Sequence, residues 1–179
     1  MRIIGGDLKG RAILPPSSFR ARPTTDFAKE GLFNVLNNMV DFEELSVLDL
    51  FSGTGGISYE FASRGCTDII SIEMNPVHAD FIKKSVAVLK IQGMQVVRHN
   101  VFDFLNICTK KFDLIFADPP YDIEGLDTIP DKIFSKNILN DNAIVIVEHP
   151  ASYNFENHPN FKKMKRYGNV HFSFFEKSL

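Results

Sequence analysis

Apolar residues recur along the chain in two alternating rhythms. Between residues 26 and 39, Ala28, Leu32, Val35, Leu36 and Met39 stand three or four apart, with one single step, which predicts an amphipathic helix. The preceding Arg22-Pro23-Thr24-Thr25-Asp26 is a helix-start signal, because Thr and Asp side chains cap free backbone N–H groups. Beyond Leu45 the rhythm becomes strand, turn, helix, repeated. Val47–Phe51, Asp68–Glu73, Gln95–Arg98, Asp113–Ala117 and Asn142–Glu148 read as short buried strands. Ile57–Arg64, a stretch opening at Pro76, Val101–Cys108 and a segment near Asp131–Leu139 read as helices between them. Gly65 and Gly93 mark helix ends, and Pro76 suits a first turn.

Strands alternating with helices imply right-handed crossovers and a parallel sheet covered on both faces. The end of the chain differs. Phe161–Tyr167 and Val170–Glu176 flank Gly168-Asn169, and Val170, Phe172 and Phe174 alternate, as in a closing antiparallel hairpin. The expected fold class is therefore α/β, Rossmann-like and doubly wound, a mostly parallel seven-stranded sheet with an antiparallel C-terminal edge. Residues 1–44, with short β-like runs at Arg2–Ile4 and Arg11–Leu14 ahead of Pro15-Pro16, form a small hairpin-and-helix extension. Residues 45–179 form the ligand-binding domain.

Composition narrows the class. The 179 residues are 44% hydrophobic and 23% charged, enough for one self-sufficient core and too apolar for a disordered chain. Cys66 and Cys108 lie far apart, which is no disulfide framework and fits a reducing cytoplasm. No apolar run has the length of a signal peptide core or a membrane span. The five histidines show no metal-ligand spacing, so no metal is expected.

Asp49-Leu50-Phe51-Ser52-Gly53-Thr54-Gly55-Gly56 joins the first core strand to a helix, where open α/β sheets bind ligands. Glu73 follows Gly53 by 20 residues, at the next strand's end, placed to accept from ribose hydroxyls. A dinucleotide fingerprint would have Gly or Ala where Ser58 stands. Asp49 beside the turn opposes a pyrophosphate and suits a cationic ligand. S-adenosyl-L-methionine, with a sulfonium and an ammonium and no phosphate, fits that chemistry.

Asp118-Pro119-Pro120-Tyr121 ends the fourth core strand. Two prolines remove two N–H donors and stiffen the loop. An acceptor carboxylate at Asp118, the Pro119 carbonyl and a flat ring at Tyr121 make a slot for an exocyclic amine on a planar base. Accepting both amine protons turns the nitrogen lone pair towards a methyl donor, and rate comes from positioning.

With these motifs the sequence resembles the RsmD family, bacterial S-adenosylmethionine-dependent methyltransferases acting on a guanine N2 amine of 16S rRNA. The resemblance runs through Met1-Arg2-Ile3-Ile4-Gly5-Gly6, Lys9-Gly10-Arg11, Arg22-Pro23-Thr24-Thr25, Leu32-Phe33-Asn34-Val35-Leu36, Leu48–Gly55, Ser63-Arg64-Gly65 and Asp118–Tyr121. It implies a class I methyltransferase fold, with Asp49, Phe51, Ser52, Gly53, Thr54 and Gly55 around the methionine part of the cofactor. It places Glu73 and Met74 at ribose and adenine, Asn100 and Val101 at the adenine edge, and Asp118, Pro119, Pro120 and Tyr121 at the target guanine. It sets Arg22, Thr24 and Thr25 near the RNA entrance. Lys29 for Arg, Thr54 for Ser, and Tyr59-Glu60-Phe61 depart from the family pattern without removing a catalytic group.

Charge sharpens the choice of partner. The net charge is only -2, yet residues 1–25 carry Arg2, Lys9, Arg11, Arg20 and Arg22 against Asp7 alone. Residues 161–179 carry five basic groups against Glu176, leaving ten basic and twenty acidic residues between the two ends. Basic ends on an acidic body suit an RNA backbone. The short extension suits a substrate whose own fold presents the base: 16S rRNA or a small-subunit particle, bound by a monomer. Alternatives are methylation of another exocyclic amine (adenine N6 or cytosine N4), protein glutamine methylation, a non-catalytic RNA-binding assembly module, or, most distantly, an oxidoreductase.

Overall fold

A computed structural model describes residues 1–19 and 23–177 of the chain. The first ordered contacts are not strands but a single antiparallel bridge, Arg2 to Ala12, framed by Ile3 N to Arg11 O and Ile13 N to Met1 O. Helix α1 (Asp26–Leu36) follows, capped by the Thr25 hydroxyl accepting from Ala28 N, and its apolar face buries Ala28, Leu32, Phe33 and Leu36. Met39 falls beyond its end.

The alternating region is β1 (Ser46–Leu50), α2 (Gly56–Ser63), β2 (Asp68–Ile72), α3 (Pro76–Leu89), β3 (Met94–Val97), α4 (Val101–Ile107), β4 (Phe112–Ala117), α5 (Ile129–Phe134) and β5 (Leu139–His149). Strands β6 (Phe161–Tyr167) and β7 (Val170–Glu176) close the sheet, whose order is β3-β2-β1-β4-β5-β7-β6. The first five strands are parallel; β7 pairs antiparallel with β5 and with β6. The order reverses direction beside β1, so the carboxyl ends of β1 and β4 flank the switch point where such sheets hold ligands.

Several expected boundaries move, among them Val47–Phe51 to Ser46–Leu50 and Asn142–Glu148 to Leu139–His149. The helix near Asp131–Leu139 is a shorter one over Ile129–Phe134, and Leu139 already belongs to β5, opposite Phe112. Ladder pairing overrides the helical spacing there, because an apolar residue in a sheet interior satisfies both burial and its backbone bonds. Strand β3 begins at Met94, paired with Ile69, and ends at Val97 rather than Arg98.

The sheet divides the core into two layers. One joins Ile3, Ile13 and the face of α1 to Val47, Phe61, Phe116 and Phe174; the other gathers Leu48, Ile115, Val145, Ile133 and Phe175. The N-terminal segment is fastened to α2 by a buried charge cluster. Glu60 accepts from Lys29 Nζ at 3.0 Å, from Arg64 at 2.6 Å and from Ile4 N at 2.9 Å, while Lys29 also donates to Arg2 O. Lys29 and Glu60 are fully buried, a burial that long charged groups tolerate only as a pair. Among the described residues no helix is long and apolar enough to cross a membrane.

Candidate active site

Five segments meet at the carboxyl ends of the parallel strands. The turn after β1 needs left-handed backbone at three positions, Phe51 (φ 60), Gly53 (φ 57) and Gly55 (φ 84). The last two are glycines, which adopt it freely; Phe51 holds it against its side chain, its ring edge-on to Phe102. A Cβ on Gly55 would also lie 2.6 Å from the Tyr59 ring. The loop is closed by Gly55 N on Ser52 O and by Ser52 N on Ile72 O.

Asp49 is buried at the end of β1 and accepts from the Ser58 hydroxyl at 2.6 Å. Ser58 in turn meets Ser71 Oγ at 2.6 Å, so a strand and a helix converge on one carboxylate. Burial pushes the Asp49 carboxyl up to about 7, against the pull of the Ser58 and Ser52 hydrogen bonds, with Glu73 adding repulsion. A carboxylate so placed favours a cationic ligand, whose charge restores ionisation.

Glu73 stands just after β2 and spans the loop: it accepts from Gly53 N at 2.8 Å and, through its other oxygen, from Asn75 N at 2.8 Å. It therefore holds the glycine turn in place against the start of α3. Met74 is exposed, and Asn100 donates to its sulfur at 3.7 Å while capping α4 through Phe102 N and Asp103 N. Val101 is buried beneath them. Thr54 is buried too, its hydroxyl on Met1 Sδ at 3.4 Å.

Asp118 follows β4, next to β1. Its carboxyl lies well above the usual range because of burial first, then repulsion by Glu148 and Asp49; the Thr24 hydroxyl pulls the other way. Pro119 is buried and Pro120 exposed. Tyr121 is 44% exposed. Its hydroxyl donates to Glu148 at 3.3 Å.

Glu148 was not among the expected residues. It sits at the end of β5, 4% exposed, and accepts from the Thr24 hydroxyl at 2.9 Å as well as from Tyr121. Burial raises its carboxyl to about 7. A signal for it existed: like Glu73 it is the acidic last residue of an apolar run. Ser58 and Ser71 carried no comparable signal, since a serine within a helix or strand is ordinary.

The basic residues of the N-terminal segment distribute unevenly. Lys9 and Arg11 are exposed. Arg2 pairs with Asp26 at 2.8 Å on the surface. Thr25 is occupied as the α1 cap, whereas Thr24 reaches into the site. Arg20 and Arg22 lie outside the described residues.

Comparison with known proteins places the chain among its relatives. The family described as Conserved hypothetical protein 95 matches residues 1–176. The ribosomal RNA small subunit methyltransferase D of Buchnera aphidicola is 31% identical over 179 residues, spanning 98% of this chain and 91% of that one. Its Escherichia coli namesake is 33% identical over 148 residues, spanning 83% of this chain and 74% of that one. A solved Escherichia coli structure, described as a candidate methyltransferase, superposes with a TM-score of 0.86 at 29% identity, covering 99% of this chain and 98% of that one.

Proposed function

The chain belongs to the family described as Conserved hypothetical protein 95, the RsmD family, and from that premise we propose that it methylates the exocyclic N2 amine of a guanine in 16S rRNA. The methyl donor is S-adenosyl-L-methionine, and the substrate is the rRNA within an assembling small subunit. The observation that carries this reading is one juxtaposition. A glycine turn closed over a buried, cation-seeking Asp49 lies beside the rigid Asp118–Tyr121 slot, on adjacent parallel strands.

The residues present fit the cofactor. Asp49 supplies the buried negative charge for its ammonium, with Phe51, Ser52, Gly53, Thr54 and Gly55 framing the turn. Glu73 and Met74 would face the ribose and adenine, with Asn100 and Val101 at the adenine edge. When bound, the cofactor supplies an electrophilic methyl group. Asp118 and the Pro119 carbonyl accept hydrogen bonds from the two N–H groups of the target amine, which localises the nitrogen lone pair; Tyr121 stacks on the base. Positioning supplies most of the rate, and the excess proton leaves the nitrogen after transfer.

We assign residues 1–44 as the RNA-facing extension and 45–179 as the methyltransferase domain, acting as a monomer in the cytoplasm. Lys9 and Arg11, exposed, with Arg2, Arg20, Arg22, Thr24 and Thr25, belong to the RNA side. The test is methyl transfer to unmodified small-subunit particles and to naked 16S rRNA, read by nucleoside mass spectrometry. N2-methylguanosine is expected, and its absence from both substrates overturns the reading. Asp118→Ala is expected to abolish transfer while retaining RNA binding.

A further inference from the structure

We infer that Glu148 reads the N1–H of the target base, and so selects guanine over other bases that carry an exocyclic amine. The inference rests on the guanine-N2 reading above and deepens it.

Strands β4 and β5 are parallel neighbours with Ala117 opposite Val147. The next residue on each is therefore a carboxylic acid, Asp118 beside Glu148, and the two side chains share one face at the mouth of the slot. Thr24 touches both. Glu148 is buried, yet among the described residues it has no ion pair. Its hydrogen-bond donors among the described residues are the hydroxyls of Thr24 and Tyr121, both from segments that border the slot. Those two bonds use one lone pair on each oxygen and leave the others available. A buried carboxylate without a cation is costly unless a further donor arrives. The bound base can bring that donor.

Base chemistry then discriminates. Beside the N2 amine of guanine lies N1–H, a donor. Beside the N6 amine of adenine and the N4 amine of cytosine lies a bare ring nitrogen, an acceptor. With Asp118 accepting from the amine, an ionised Glu148 accepts from N1–H of guanine and repels the lone pair of the other two. A site built this way rejects an analogue lacking the donor, because the buried acceptor is left unpaired.

The experiment replaces the target guanine in reconstituted small-subunit particles by 2-aminopurine, which keeps the N2 amine and has a bare N1. Transfer is measured at about pH 8.5, above the range in which Glu148 takes up a proton. The wild-type protein is expected to prefer guanine by about 10- to 100-fold in kcat/KM. In Glu148→Gln the side-chain amide can donate to a bare N1, so the preference is expected to fall to within about threefold of unity. S-adenosylhomocysteine affinity and the melting temperature of that variant report whether the fold and the cofactor site remain intact. Equal wild-type use of guanine and 2-aminopurine, or an undiminished preference in a folded Glu148→Gln protein, overturns the inference. No methylation of guanine by the wild-type protein defeats the underlying reading instead.

Discussion

Ser58, in the first turn of α2, donates to the Asp49 carboxylate at the end of β1 at 2.6 Å, with both groups buried. The bond crosses the glycine turn and is the largest influence holding the Asp49 carboxyl down against the cost of burial. It makes the acid before the glycine turn a tunable group rather than a fixed charge.

Ser58→Ala therefore weakens cofactor binding without touching the cofactor. Losing a hydrogen bond to a charged group corresponds to about tenfold in affinity for S-adenosylhomocysteine. Because Asp49 titrates at about 7 and an ammonium partner requires its ionised form, wild-type affinity rises as pH increases through that value. The midpoint moves upward in Ser58→Ala. Calorimetry across this pH range checks both, and an unchanged midpoint contradicts the coupling.

Stability of the ligand-free protein should run the other way. Unfolded carboxyls titrate near pH 4. Folded Asp49 and Glu148 titrate at about 7, and Asp118 lies well above its ordinary value. The folded state thus keeps protons that the unfolded chain releases. Their stabilising contribution is full below about pH 4 and is lost as pH rises through about 7. A double variant, Asp49→Asn with Glu148→Gln, flattens that slope. Thermal melts at pH 5.5 and 8 provide the measurement, and a pH slope of equal size in the double variant rules the account out.

The buried Lys29–Glu60 pair predicts an asymmetry. Lys29→Ala leaves Glu60 with Arg64 and Ile4 N, whereas Glu60→Ala takes the one buried carboxylate from Lys29, Arg64 and Ile4 N together. Glu60→Ala is expected to cost about 3–5 kcal/mol, and Lys29→Ala less. The double variant costs less than the two summed, because the Lys29–Glu60 interaction is lost in both single variants and counted twice in their sum. Urea denaturation of the three variants decides it.

Gly6→Ala tests how the extension is seated. The glycine has φ 72, and an added Cβ would land on the Ser63 carbonyl, backbone that has no room to yield. A loss of at least about 2 kcal/mol follows from strain and displacement together. Gly10→Ala, also at positive φ but in open space, should cost less than Gly6→Ala in the same melts.

The linear sequence by itself determined the order of elements, because the change of apolar spacing from helical to strand is a local property. It also determined the two loops: Gly53 and Gly55 where left-handed backbone is required, and Asp118-Pro119-Pro120-Tyr121 where a stiff turn ends a strand. The hairpin Phe161–Tyr167 and Val170–Glu176 was legible to the residue, since alternation and a Gly-Asn turn agree there. Tertiary structure decided what strand pairing brings together. The β4–β5 register sets Glu148 beside Asp118, and Thr24 reaches Glu148 across 124 residues of chain. The same long-range docking turns Ser58 and Ser71 towards Asp49, and makes Lys29 and Glu60 one buried pair. A local pattern encodes which face of an element is apolar. Which polar groups are buried together depends on register and on the order of strands in the sheet, and there one residue of slip would turn every side chain to the opposite face.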